Sequence, residues 1–207
     1  DNDECDAYLA YHGLKHAAKL NYIASSLGDS KLHHFNAGRI VDWGCGQGLG
    51  TLALLDKAQL GSCLRQVVLI EPGSTALCRA KFFLENHAFW VNQKNPEIQV
   101  LCELIDSQIF LSTKFMGSTI HVFSNILDIA DVNLDETHKL ICSHFSGPQL
   151  FILTSPFIQW SRSIRLLSFQ QKFVTEESFE EHLQVDRDYL PEANASITAR
   201  VFSCVLK

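Results

Sequence analysis

Apolar residues follow a helical period in the first part of the chain and a strand–helix alternation in the rest. Between residues 6 and 28 they recur at helical spacing, which predicts an amphipathic helix that ends near Gly28. A polar stretch with Asn36 and Gly38 as breakers follows this helix. We therefore expect a helical extension over residues 1–36 and a second folding unit over residues 37–207.

From residue 39 onward, short apolar runs alternate with amphipathic helical patterns. The predicted strands are residues 39–43, 66–70, 98–102, 119–124, 149–154 and 197–206. Helices are predicted over residues 49–60, 72–87, 106–113 and 134–145, and the weaker pattern after Pro156 predicts helices at 161–167 and 176–182. Such a β–α alternation requires a parallel sheet with right-handed crossovers and helices on both faces. The predicted fold class is α/β, a three-layer sandwich.

Composition and charge narrow the classes of function. The 207 residues are 46% apolar and 19% charged, which is a globular composition, and the net charge of −6 disfavours an extended nucleic-acid surface. Seven scattered cysteines without a Cys-x-x-Cys pair indicate free thiols in a reducing, cytoplasmic setting and no metal site. No apolar run has the length of a membrane span. Because the chain begins at Asp1, we allow for a flanking domain outside it.

A glycine-rich segment with acidic neighbours follows the first predicted strand. Gly44, Gly46 and Gly48 stand at alternate positions, which lets the backbone turn tightly and approach a ligand. Asp42 precedes them, an unfavourable neighbour for a pyrophosphate but a favourable one for an ammonium group. The second strand ends at Glu71, where a carboxylate can accept hydrogen bonds from ribose hydroxyls. The nicotinamide fingerprint does not fit, since Leu49 takes its third glycine position. The pattern therefore predicts a pocket for a positively charged adenosyl ligand.

Two segments resemble known motifs. Residues 41–48 resemble the first motif of the class I S-adenosylmethionine-dependent methyltransferases, and residues 69–72 resemble their second. The resemblance covers roughly residues 37–155. It implies a mostly parallel seven-stranded sheet with an antiparallel last strand, and S-adenosylmethionine as the cofactor.

The same resemblance assigns roles to individual residues. Asp42 would face the ammonium side of the cofactor, and Glu71 would hold the ribose hydroxyls. Glu103 or Asp106 would lie beside the adenine amine, and the residues leave that choice open. The further cofactor-binding residues that it implies are Gly44, Cys45, Gly46, Gly48, Pro72 and Ser124.

The end of the fourth strand is where the family places the methyl acceptor. Asn125 resembles the first residue of the Asn-Pro-Pro-aromatic motif of amino-methylating members, but Ile126, Leu127 and Asp128 follow it instead. Asn125 therefore either contacts the acceptor or caps a turn. Asp128 or a histidine is the candidate for removing a proton.

Two further groups have alternative interpretations. His12 and Lys15 on the first helix either contact the cofactor or lie on a solvated face. Trp160, Arg162 and Arg165 either border a substrate cleft or lie on the surface of a helix.

The leading hypothesis is methyl transfer to an unidentified acceptor by in-line displacement. A small molecule or a protein is slightly favoured over nucleic acid as the acceptor, because the chain is acidic. The alternatives are a non-catalytic module that binds S-adenosylmethionine and, less favoured, a nucleotide-dependent oxidoreductase.

Overall fold

The structure is a computed structural model that describes residues 1–57, 63–88, 96–105, 114–156 and 160–207; the side chains of residues 28–34, 57 and 160–163 are outside this description. The helices are α1 (Asn2–Tyr8), a π-helical turn (Leu9–Gly13), α2 (Leu14–Phe35), α3 (Leu49–Lys57), α4 (Ser74–Glu85), α5 (Leu134–His144), α6 (Trp160–Gln171) and a 3₁₀ turn (Pro191–Ala193). The strands are β1 (Arg39–Trp43), β2 (Gln66–Ile70), β3 (Glu97–Leu101), β4 (Phe115–Met116), β5 (Thr119–Ser124), β6 (Phe145–Ser155), β7 (Glu177–Leu190) and β8 (Ala195–Leu206).

Seven of these strands form a continuous sheet in the order β3-β2-β1-β5-β6-β8-β7. The first five of them pair in parallel, and β8 is antiparallel to both of its neighbours. The two-residue strand β4 pairs with the start of β6. The predicted α/β sheet with an antiparallel last strand is confirmed. Because the chain leaves β1 on one side and returns to β5 on the other, the strand order reverses between these two strands, where α/β folds bind ligands.

The sheet is buried on both faces by separate sets of helices. Alternate residues of β1 point to opposite sides: Ile40 packs in the core with α2, α3 and α4, and Val41 packs with α5 and α6. This arrangement explains why the central strands are continuous apolar runs rather than alternating ones. The three-layer prediction is therefore confirmed, and α2 shares a core with the sheet.

One predicted helix was wrong. The helix predicted over residues 176–182 is instead the start of β7, which begins at Glu177 and pairs with β8 along the edge of the sheet. The register shifts at three places along this pair, so the simple alternation of exposed and buried residues is lost. The glutamate-rich, exposed start of β7 therefore has the composition of a solvated helix, although it is an edge strand. The helix predicted over residues 106–113 lies outside the described residues.

The N-terminal helix is longer than predicted. Gly28 does not end it, because α2 continues to Phe35, and the chain leaves the helix through Asn36 in a left-handed conformation (φ 51°). A single glycine is tolerated inside a helix whose apolar side is already packed on a sheet.

A buried histidine links two strands in the aromatic core. The Trp43 indole donates to Nδ1 of His121 over 3.1 Å, and Nε2 of His121 lies 2.9 Å from the Gln149 side-chain oxygen. His121 also stacks on Phe151. Burial is the main cause that lowers the pKa of His121 to about 3. Neutral His121 therefore accepts the hydrogen bond from the Trp43 indole and donates one to the Gln149 side-chain oxygen.

This network makes stability depend on pH. His121 binds a proton less readily in the folded than in the unfolded chain, so unfolding takes up a proton as the pH falls below about 6.5, and stability is lost toward lower pH. We expect a loss of about 2 kcal/mol from this group between pH 7 and pH 5. Urea unfolding of the protein and of His121→Leu at both pH values measures it. The substitution lowers stability at pH 7, since Trp43 and Gln149 lose a partner, but it removes this part of the pH dependence. Equal losses in both proteins between pH 7 and pH 5 would contradict the assignment.

Candidate active site

The glycine-rich segment after β1 has a backbone conformation and close contacts that favour glycine at Gly44 and Gly48. Gly44 has a φ of 65°, and a Cβ atom there would lie 2.7 Å from the Ile126 side chain. Gly48 has a φ of 79° and lies close to Ala80 of α4. A Cβ at Gly46 would meet no atom within 4 Å, so this glycine faces open space. Gly44 and Gly48 thus allow close packing of the loops, while Gly46 leaves room for a ligand.

Asp42 lies beneath this segment and is fully buried. Its Oδ2 accepts hydrogen bonds from the backbone N–H and the hydroxyl of Thr51 in the first turn of α3, at 3.2 and 2.8 Å. Its Oδ1 is buried and has no hydrogen-bond partner among the described residues. Burial, with a smaller contribution from Glu71, raises the pKa of Asp42 to about 6, against the hydrogen bonds from Thr51. A buried carboxylate with a free oxygen is stabilised by a positive charge nearby.

Glu71 connects the loops after β1 and β2. Its Oε2 accepts the Gly46 N–H at 3.0 Å, and its Oε1 accepts the Gly73 N–H at 2.9 Å. The Cys45 N–H donates to the Ile70 carbonyl at 2.9 Å. These bonds fix the carboxylate at the carboxyl edge of the sheet.

Two adjoining cavities lie at this edge, on either side of Glu71. The larger, of about 480 Å³, is mainly apolar and has Pro72, Leu104 and Ile105 in its wall. The smaller, of about 330 Å³, is lined by Gly46, Ser124 and Asn125 together with residues of α1. Both share Gly44 and Glu71, with Ile126 and Ile129. The pair has the form of a site for an elongated ligand with an apolar end and a more polar end.

The predicted cofactor residues are placed as follows. Gly44, Gly46, Glu71, Pro72 and Ser124 line these cavities. Asp42, Cys45, Gly48 and Glu103 are not among the lining residues, so their contact with a ligand stays a prediction. Glu103 directly precedes the lining residues Leu104 and Ile105, and Asp106 lies outside the described residues.

A third cavity of about 360 Å³ meets the smaller one at Tyr8 and Asn125, which line both. The other lining residues are His12, Lys15, His16, Lys19, Asp128, Pro156, Asn194, Ala195 and Ser196. The two predicted catalytic residues, Asn125 and Asp128, are therefore brought together in one wall. His12 and Lys15 line the same cavity.

Asn125 is held in an unusual conformation. Its φ of 60° lies in the left-handed region, which costs energy but is more accessible to asparagine than to most residues. Lys19 donates to its Oδ1 over 2.5 Å, and its amide nitrogen lies 3.1 Å from the ring of His16. Burial, together with the charges of Lys19 and His12, lowers the pKa of His16 to about 3, so this ring is neutral. Backbone strain of this kind is concentrated at functional sites.

The loop that carries Asp128 is supported from α6. The Arg165 guanidinium donates to the carbonyls of Leu127, Ile129 and Val132 at 2.7, 3.0 and 2.5 Å. Arg165 therefore holds the backbone on both sides of Asp128, a contact that neither interpretation of this residue from the sequence included. The side chains of Trp160 and Arg162 lie outside the described residues.

Helix α1 covers the site and is hydrogen-bonded to α4. Arg79 of α4 donates to Oδ1 of Asp6 at 2.6 Å and to the side chain and carbonyl of Asn2. Gln47 of the glycine-rich segment donates to the Cys5 carbonyl at 2.9 Å. These bonds place Cys5 and Tyr8 over the smaller cavity.

Among the residues of the site that sequence reasoning missed are Tyr8, His16 and Lys19. The signal was present in part, because residues 8, 12, 15, 16 and 19 are spaced to share one side of a helix. Their meeting with Asn125, more than one hundred positions later, has no counterpart in the local sequence.

A possible ligand set for a metal lies away from these cavities. Ligand atoms of His138, Cys142 and Glu176 all lie within 4.8 Å of one another. The prediction that the chain has no metal site is therefore not tested by the structure.

None of the helices in the described ranges has the length and apolar character that a membrane crossing needs.

Comparison with known proteins identifies the fold. No protein-family model matches the sequence, and no curated protein matches it either. Among solved structures, the plantazolicin methyltransferase BamL, in complex with SAH and a triazolic desmethylPZN analog, aligns over 99% of this chain and 91% of its own with a TM-score of 0.62 and 11% identity. The plantazolicin methyltransferase BpumL, in complex with SAH, covers 100% and 91% with a TM-score of 0.61 and 10% identity. The methyltransferase domain of bacterial CtHen1-C covers 91% and 98% with a TM-score of 0.56 and 15% identity.

The contacts of Arg79 can be tested directly. Arg79→Met removes the hydrogen bonds that tie α1 to α4, and we expect amide exchange of residues 2–8 to accelerate by about fivefold, since the ion pair is partly solvated. Hydrogen exchange followed by mass spectrometry measures this change. Lys81→Met is the matched control, because Lys81 pairs only with Glu85 within α4 among the described ion pairs. Unchanged exchange in Arg79→Met would show that α1 is held by other contacts.

Proposed function

Because the chain has the fold of the class I S-adenosylmethionine-dependent methyltransferases, we propose that it binds S-adenosylmethionine and transfers the methyl group to an acceptor. The observation that carries the proposal is the position of Glu71. Glu71 lines both the larger and the smaller cavity, at the edge where the strand order reverses. The acceptor would enter the third cavity, which meets the smaller one at Tyr8 and Asn125.

The residues present fit this cofactor. The open side of Gly46 leaves space beside Glu71, which has the geometry and charge to accept hydrogen bonds from a ribose diol. The unpartnered Oδ1 of Asp42 favours a cationic ligand at the polar end. Pro72, Leu104 and Ile105 provide an apolar wall of the kind that holds an adenine ring. Glu103 and Cys45 are retained as proposed neighbours of the cofactor.

The chemistry at the junction of the cavities requires positioning more than acid–base work. S-adenosylmethionine supplies an electrophilic methyl group on a positively charged sulfur, which an acceptor displaces in line. Ser124 and Asn125 border the cofactor side of the junction, and Tyr8 and Asn125 border both sides. Alignment of the two reactants provides much of the rate in such a reaction. Asp128, in the wall of the acceptor cavity, is proposed to take the proton of an acceptor that has one to lose.

A non-catalytic module with the same fold is the second candidate. Both ends of the Asn125 amide are occupied by Lys19 and His16, so Asn125 has less freedom to bind an acceptor than a solvated asparagine has.

The seven cysteines are all free, which supports the proposal of a reducing, cytoplasmic location for either candidate.

Binding is tested with S-adenosylhomocysteine, the demethylated product. Isothermal titration should detect it, and Glu71→Gln should weaken it by about ten- to a hundredfold, because a neutral amide cannot replace a charged acceptor of hydrogen bonds. Glu85→Gln is the matched control, since Glu85 lies at the end of α4 and lines none of the three cavities. Absence of heat with the unsubstituted protein would discard the cofactor proposal. Equal affinity in Glu71→Gln would discard the role of Glu71.

Catalysis is tested by transfer of radiolabelled methyl groups to metabolite, protein and RNA pools. Asp128→Asn should lower the rate by about a hundredfold for an acceptor that loses a proton, while affinity for S-adenosylhomocysteine is retained. Asp135→Asn is the control, because Asp135 is exposed on α5 and lines none of the three cavities. An unchanged rate in Asp128→Asn would exclude a proton-accepting role. No transfer to any pool, with binding intact, would favour the non-catalytic module.

A further inference from the structure

The third cavity has a basic wall on one side of the N-terminal helix. His12, Lys15, His16 and Lys19 follow one another at helical spacing and all line it. The opposite wall, formed by the loop after β5 and the turn before β8, contributes one carboxylate, Asp128. The cavity is therefore lined by two lysines and only one acid, although the chain as a whole is acidic.

Lys19 is the more unusual of the two lysines, because only 2% of its surface is exposed. Its ammonium group donates to Asn125 at 2.5 Å, and it forms no ion pair with a carboxylate in the described part of the chain. By contrast, Lys81 and Lys172 pair with Glu85 and Asp135. A buried ammonium is costly unless it is paired or fully hydrogen-bonded, and one amide oxygen satisfies only one of its three N–H donors.

Lys15 adds a second positive charge to the same wall. Its ammonium lies 4.7 Å from the centre of the Tyr11 ring, and it too has no carboxylate partner among the described ion pairs. The charge of Asp128 offsets part of the charge on Lys19 and acts to raise the pKa of this lysine. His16 is neutral. The balance of formal charge across these groups leaves the cavity positive.

The volume of the cavity limits what it can hold. About 360 Å³ suits a small molecule or the end of a larger one, and falls within the range of ligand pockets in general. The cavity opens onto the smaller cofactor cavity at Tyr8 and Asn125, so a molecule bound here would lie next to the position of the transferred methyl group.

From this geometry we propose that the third cavity binds a small-molecule acceptor with an anionic group, which Lys19 and Lys15 hold. That the bound anion is a methyl acceptor rests on the proposed function. The anion site itself rests on Lys19, which is buried and has no carboxylate partner among the described ion pairs. The bound anion would satisfy N–H donors of Lys19 that Asn125 does not reach. Asp128 would then face the uncharged part of the acceptor.

Titration of Lys19 gives the proposal a pH signature. Burial lowers the pKa of Lys19 to about 8, with Lys15 acting in the same direction and Asp128 against it. The groups that face it are His12, Lys15 and His16 on its own helix and Asp128 on the loop after β5. Lys19 therefore loses its charge as the pH rises through about 8, and affinity for an anion should fall there, whereas a lysine that acts as a base would become more effective.

The test uses three ligands of similar size and different charge: 4-fluorobenzoate, 4-fluorobenzamide and 4-fluorobenzylamine. Fluorine NMR at pH 7 should give a dissociation constant for the benzoate that is about tenfold or more below that of the benzamide, as expected for a charge-assisted hydrogen bond in a partly enclosed site. Affinity for the benzoate should fall between pH 7 and pH 9, and affinity for the benzamide should not.

Lys19→Met should remove the preference for the benzoate and leave binding of the benzamide within about twofold, since the neutral ligand makes no charge-assisted bond. Lys139→Met is the matched control, because Lys139 is exposed on α5 and lines none of the three cavities. The charge preference and pH dependence of the unsubstituted protein test the proposal even if Lys19→Met does not fold.

The outcomes separate this proposal from the proposed function. A preference for the benzylamine, equal binding of all three ligands, or no binding of the benzoate at millimolar concentration would overturn the anion site, whatever S-adenosylhomocysteine does. Preference for the benzoate without any binding of S-adenosylhomocysteine would support the anion site and overturn the cofactor proposal.

Discussion

The two hydrogen bonds that Glu71 accepts are the interaction on which the site depends. They join the loop after β1 to the loop after β2, so the carboxylate for which we propose a ribose contact is also the group that sets the shape of the pocket. This dual use is possible because each carboxylate oxygen can accept more than one hydrogen bond. The glycines on either side of Gly46 leave room for this loop conformation, since Gly44 lets Ile126 lie against the loop and Gly48 lets α4 approach it.

The fold was predictable because its signals are local. The buried central strands are continuous apolar runs, and the glycine-rich segment and Glu71 stand in fixed order around β1 and β2. Edge strand β7 was not predictable in the same way, because its register shifts remove the alternation that identifies a strand. The extent of α2 was also misjudged: Gly28 is a common end signal, but packing of the helix on the sheet overrides it.

The proximity of the glycine-rich segment and Glu71 was easier to predict than the contact between Lys19 and Asn125, and the reason is the distance along the chain. Gly44 and Glu71 belong to one β–α–β unit, whereas Lys19 and Asn125 meet only after the chain has crossed the sheet. Overall charge was a poor guide for a similar reason. A net charge of −6 describes the whole chain, and it does not exclude a positive cavity lined by Lys15 and Lys19, which are about one turn apart on α2.

The π-helical turn between α1 and α2 sets the direction in which the preceding residues point. In an α-helix each residue advances the side-chain direction by about 100°, and a π turn accommodates one residue more than the regular helix would. Glu4 and Cys5 before the turn line the smaller cavity beside Glu71, and His16 and Lys19 after it line the third cavity. A deletion of one residue within Leu9–Gly13 would restore a regular helix and rotate α1 away from its cavity while α2 kept its place. The length of this turn thus lets residues of α1 face one cavity while residues of α2 face the neighbouring one.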